Sequence, residues 1–203
     1  MLTEYSPYQD LLDAVHQVER YGFQVMNNPK ILRAFRKGAK DYFHEVNTPD
    51  GLPALYAFRT SDNGIFRRSF LKVQGKDGIS YVKHMYINDE GGYLRIIHGH
   101  AVKRYVERRQ FKGTYEHALH KIINELVVAY STPDGTSQTD YIDFDGGTFL
   151  CTFDGRIMHI GTFIMHRQCT PIQRLRSLES QKETTAAKRN FGFTDIKKER
   201  TSL

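Results

Sequence analysis

The sequence predicts an α+β protein built on a mainly antiparallel sheet. Three observations lead there. Residues 7–47 and 99–130 repeat apolar side chains at helical spacing. Residues 55–97 and 141–165 instead read as short runs rich in aromatic and β-branched residues, cut by Gly, Asn and Asp turns. The blocks follow one another as helices, a meander, two helices, a second meander and a tail, the order expected of α+β architecture.

Residues 7–47 read as two helices. Ser6 is a candidate N-cap and Pro7 suits a first turn. Leu11, Leu12, Val15 and Val18 form an apolar stripe that Val25 and Met26 extend past Gly22. Asn27-Asn28-Pro29 breaks it, and a second helix is expected to carry Ile31, Leu32, Phe35, Ala39, Tyr42 and Phe43. Asn47–Gly51 is a turn cluster. Strands are expected at 55–60, 66–73, 79–87 and 93–97, with Asp62-Asn63-Gly64 as a hairpin signal. Tyr81, Lys83 and Met85 should face one side, and Val82, His84 and Tyr86 the other. A helix follows over 99–109. Thr114 should cap the next, whose stripe runs from Tyr115 through Ala118, Leu119, Ile122, Ile123 and Leu126 to Val127 and Tyr130. Ser131–Gln138 reads as a polar loop. Strands close the domain at 141–144, 148–153 and 157–165, and Pro171 opens a helix through Ser180. One domain over 1–180 is expected, with a soft division near residue 92, and 181–203 reads as a basic, flexible tail.

The chain has 203 residues and a net charge of +6, with a pI near 9.2. Residues 167–203 hold nine Lys/Arg against four Asp/Glu, so most of the excess lies at that end. Such a balance suits an acidic partner, RNA being the one expected here; the N-terminal helices or the tail would serve a protein partner. Cys151 and Cys169 are too few for a disulfide framework, and no CxxC is present. The N-terminal residues lack the features of a signal peptide, and no apolar run reaches the ~18 residues of a membrane span. A cytoplasmic protein with no membrane association and no cofactor is expected.

The chemistry concentrates in HGHAVKRYVERR, residues 98–109. On a helix His100, Arg104 and Arg108 fall on one face, while Ala101, Val102, Tyr105 and Val106 pack inward. A helix N-terminus offers free N–H groups to phosphate. Guanidinium forks hold phosphate oxygens and stabilise developing charge. Imidazole moves protons near neutral pH. Together they suit metal-independent cleavage of RNA, in which a base deprotonates the 2′-hydroxyl, that oxygen attacks phosphorus, and an acid protonates the leaving 5′-oxygen. His98 is an assisting candidate. The same residues also suit a structural role, with His100 as a cap and the arginines paired to Glu107 or to Asp140, Asp143 and Asp145.

The segment HAVKRYVERRQFKGTYEHALHKII resembles a pattern in small bacterial ribonuclease toxins of the barnase–EndoU–colicin–RelE-like group. The resemblance covers roughly residues 93–166. It implies helices followed by an antiparallel sheet, and catalytic roles for His100, Arg104 and Arg108. In GGTFLCTFDGRIMHIGTFIM it implies that Thr162 supplies the strand hydroxyl. The chain departs from the pattern in carrying about ninety residues before the motif, including a meander, which leaves room for a catalytically silent relative.

Two other readings stand beside this one. His98 and His100 could converge with His117, His120 and His84 on a metal, but the pattern lacks an HExxH carboxylate, and no metal is expected. A non-catalytic nucleic-acid- or protein-binding module could use sheet aromatics (Tyr56, Phe58, Phe66, Phe70, Tyr81, Tyr86) between basic residues. Arg67, Arg68, Lys72 and Lys103 are the candidate nucleic-acid contacts, with Arg59 and Lys83 nearby.

Overall fold

The computed structural model describes residues 1–61, 64–86, 92–126, 132–133 and 139–190. Helices α1 (Tyr8–Val25) and α2 (Pro29–Arg36) precede five strands, β1 (Asp41–Asn47), β2 (Pro53–Ser61), β3 (Gly64–Gly75), β4 (Gly78–Tyr86) and β5 (Gly92–Ile97). Then come α3 (Gly99–Arg109) and α4 (Tyr115–Leu126), β6 (Thr132–Pro133), β7 (Thr139–Phe144), β8 (Gly147–Asp154), β9 (Ile157–Met165) and α5 (Pro171–Asn190). The α+β class and the antiparallel character are as the sequence predicts.

All nine described strands join one sheet in the order β1-β2-β3-β4-β5-β9-β8-β7-β6. Every neighbouring pair is antiparallel except β5 and β9, which run parallel over Leu94–Ile97 and Ile157–Ile160. The two meanders are thus fused edge to edge, and the sheet continues across residue 92 without a break.

Alternation along the strands sorts side chains onto two faces. One face carries Leu55, Ala57, Phe70, Tyr81, Ile97, Ile142, Phe149, Cys151, Met158, Ile160 and Phe163, buried under α3 and α4. The other carries Tyr56, Phe58, Leu71, Val73, Val82, Leu94 and Ile96, buried under α1 and α2. At the far edge of that second face, α5 packs on β7. Between α1 and α5, no helix among the described residues covers the outer face of β8 and β9, and Thr152 and Asp154 are exposed there.

Four expectations need correction. The second helix stops at Arg36, because Gly38 takes φ +84° and turns the chain into β1. Tyr42 and Phe43 therefore lie on a strand paired with Phe58 and Ala57, not on a helix. Ser6 does not cap α1; its Oγ accepts instead from the Thr3 amide, and Pro7 takes the cap position. The final helix continues to Asn190, ten residues beyond Ser180, anchored by buried Ser177, Ser180 and Ala187. Asn28 caps α2, through a bond from the Lys30 amide, and Thr114 caps α4 as expected. Asp62, Asn63, Ile87, the 88–91 turn, Val127, Tyr130, most of the 131–138 loop and the tail beyond 190 lie outside the described residues.

Candidate active site

The expected triad does not assemble. His100 and Arg104 do meet on α3, with Arg104 Nε 3.3 Å from His100 Nε2. Arg104 Nη1 is held at 2.9 Å by Glu107, one turn on, and His100 Nδ1 lies 3.3 Å from Asp77. Arg108 turns away and donates to the Phe163 carbonyl on β9. A helix that packs on a strand aims its C-terminal arginine at that strand's backbone, so two guanidiniums do not open together on one hollow. Thr162 is half-buried opposite Leu150 and does not line the cleft described below, although its neighbour Gly161 does. The acidic turn is claimed by other cations: Asp145 accepts from Tyr105 at 2.6 Å and Lys121 at 2.8 Å, with Arg109 at 3.3 Å.

The basic sheet face is likewise mostly internal. Arg68 is 2% exposed, donates to the Ile123 carbonyl and Asn124 at the end of α4, and is depressed to about 9 by burial. Arg67 lies over the Phe23 ring at 4.1 Å, and Lys72 is held by Glu45 at 2.6 Å. Lys103 alone of the four expected contacts is exposed. Tyr56, Phe58, Phe70 and Tyr81 are core residues; Phe66 and Tyr86 are exposed. The first four rings lie in the cores on the two faces of the sheet and are not open to stack bases. His117 is exposed on α4, and His120 stacks on Phe43 at 3.6 Å, so neither is engaged with His98.

What the structure does assemble is a chain of three groups around His98. The N-terminal segment runs beside the end of β3, its Glu4 amide donating to the Gln74 carbonyl. That pairing delivers the Glu4 carboxylate, 3% exposed, beneath the start of α3. There Glu4 Oε2 accepts from Ser80 at 2.5 Å, and Oε1 accepts from the Lys76 amide at 3.0 Å. The same Oε2 lies 2.7 Å from His98 Nδ1, and His98 Nε2 lies 2.9 Å from His159 Nδ1. Gly75 is required beside it, since a Cβ there would collide with Glu4 Oε2 and Ser80 Oγ.

The charges follow from these contacts. Burial pushes the Glu4 carboxyl up, but the Lys76 amide, Ser80 and His98 outweigh it and hold it down at about 2. In the neutral tautomer that places the His98 Nδ1–H on the ionised carboxylate, His98 Nε2 accepts from His159 Nδ1–H. This assignment leaves Nε2 of His159 as the unprotonated end of the chain. Burial, and then the neighbouring His98, lower the His159 pKa and favour the neutral ring.

The chain opens on a cleft of about 870 Å³ between the N-terminal segment and the uncovered strip of β8 and β9. His98, His100 and His159 all line it, with Lys76, Arg156 and Tyr8 at its walls. One polar network elsewhere has a different role. Asp143 holds Ser177 at 2.7 Å and His166 at 2.9 Å, but Ser177 is fully buried, so the three serve to fasten α5 to β7.

Sequence reasoning named His98 and His100 but missed Glu4 and His159. His159 did leave a signal: it alternates with Met158 and Ile160, so it must face away from the core those residues enter. Glu4 left none, because its partner lies 94 positions away. No protein-family model matches the chain, and neither a curated protein nor a solved structure does. Among the described residues no helix is long and apolar enough to cross a membrane.

Proposed function

We propose that the protein cleaves RNA without a metal ion, in the cleft lined by His98, His100 and His159. The observation that carries this reading is the ordered chain from Glu4 through His98 to His159, ending on a solvent-accessible hollow that holds a further histidine. A neutral imidazole backed by an oriented partner is a competent general base, and a second imidazole supplies the acid.

In this reading His159 Nε2 removes the 2′-hydroxyl proton. The freed oxygen attacks the adjacent phosphorus, and the bond to the 5′-oxygen breaks. With its Nε2 released from Arg104 and protonated, His100 gives that oxygen its proton, leaving a 2′,3′-cyclic phosphate and a 5′-hydroxyl. Arg156 and Lys76 at the cleft walls balance the charge on the phosphorus centre. Glu4 and His98 are positioning residues, which fix the tautomer and angle of His159. The resemblance of the α3 segment to ribonuclease toxins supports the substrate class, with the site moved from the outer arginines to the histidines.

The test is incubation of the full chain with mixed RNA in EDTA, read as 2′,3′-cyclic phosphate ends. Cleavage is expected, and is expected to be lost in His159→Ala while surviving in Arg108→Ala. An inert wild-type protein, or cleavage unchanged by His98→Ala and His159→Ala together, overturns the proposal.

A further inference from the structure

A second histidine cluster lies farther along α1, outside the cleft. His16 and Glu19 stand one turn apart on that helix, and His84 faces them from β4. The side-chain nitrogens and carboxylate oxygen of the three come within 4.8 Å of one another. His84 is 6% exposed, whereas His16 and Glu19 are half-buried. From Tyr8, which lines the first cleft, to His16 the helix climbs ~12 Å at its usual rise.

We infer that His16, Glu19 and His84 form a binding site for a divalent transition-metal ion of the zinc class. Four observations converge. The donor set is two imidazoles and one carboxylate, the borderline ligands that such an ion takes when one position is left open. His16 Nε2 and His84 Nδ1 are 3.3 Å apart. Two nitrogens each ~2.0–2.1 Å from a tetrahedral ion are separated by ~3.3–3.4 Å, so both rings fit one ion with little movement. Glu19 already has an outer partner, since the Tyr86 hydroxyl donates to its Oε2 at 2.8 Å and fixes the carboxylate. Finally, the cluster borders a surface groove of about 640 Å³, lined by His16, Glu19, Asp13, Gln17 and Tyr86 among others, which gives an ion its entry path and a place for the remaining ligand.

The ion would tie α1 to the sheet. Nothing in this inference depends on the cleavage reading.

The test uses Zn²⁺ and Co²⁺ with the full chain. Titration of Zn²⁺ against a chelating indicator is expected to give one equivalent bound. Co²⁺ is expected to show the visible absorption of a four-coordinate site. His16→Ala and Glu19→Gln, both half-buried at the edge of the groove, should fold normally and lose affinity ~100-fold or more, and Tyr86→Phe about 10-fold. His98→Ala separates the two clusters and should leave binding unchanged. No stoichiometric binding, or binding that survives His16→Ala but is lost in His98→Ala, overturns the inference and leaves a histidine–histidine hydrogen bond only.

Discussion

The two histidine clusters lie on the same side of the same sheet and use the same residue types, two imidazoles and a glutamate, yet they are wired differently. In Glu4–His98–His159 the groups stand in series, each ring nitrogen of His98 taken by a different neighbour. In His16–Glu19–His84 the donor atoms converge on one point. A series passes a proton and fixes tautomers; a convergence holds a cation. Composition at a site therefore decides little until connectivity is known. The cause of the difference is where the carboxylate comes from. Glu4 arrives on the N-terminal turn that reaches beneath the start of α3, whereas Glu19 shares a helix with His16 and points with it.

The largest expected effect breaks the series at its end. His159→Ala should lower RNA cleavage by ~10²–10⁴-fold, the usual worth of a general base. Single-turnover cleavage in EDTA measures it, and a fall under tenfold would make the two clusters functionally alike. The convergent cluster is sharpened by adding its ion. Saturating Zn²⁺ at ~100 times Kd should raise stability by ~2.7 kcal/mol in the wild type and not in His16→Ala. Thermal melts show this, and the cleavage rate should not respond to Zn²⁺ at all.

Next comes Glu4→Gln, which keeps the shape and removes the charge. The carboxyl sits at about 2 in the fold against an ordinary 4.5. A lowered folded value means stability fully present above pH 4.5 and lost as pH falls toward 2. The substitution should therefore cost up to ~3 kcal/mol at pH 7 and progressively less through that window, as read by urea unfolding at several pH values. A constant deficit at all pH values would point to packing alone. The smallest effect is expected for Arg104→Ala. Its ion pair with Glu107 is exposed, so the loss of stability should stay under ~1 kcal/mol, as read by urea unfolding.

Much of this architecture was legible from residues near one another in the chain. The α3 boundaries at Gly99 and Arg109 and the β9 boundaries at Ile157 and Met165 follow from local pattern and turn chemistry. Misreading β1 as helix came from Tyr42 and Phe43 falling at helical spacing after Ala39, when Gly38 had already ended the helix. What stayed hidden was long-range. The parallel seam joins strands about sixty residues apart, and no local period encodes it. The basic face misled because Arg68 has a long stem that can be buried if backbone carbonyls receive its head, and the end of α4 provides them. His100 and Arg104 were rightly seen as neighbours, but whether a guanidinium meets a ligand or a nearby backbone is decided by tertiary packing.

The seam also sets a timetable. His98 follows β5 and His159 lies on β9, so the proton chain straddles the one junction that closes only after both meanders exist. A chain emerging from the ribosome carries Glu4 and His98 long before His159. Until that last partner arrives, Glu4 and His98 form a pair with no third group to join.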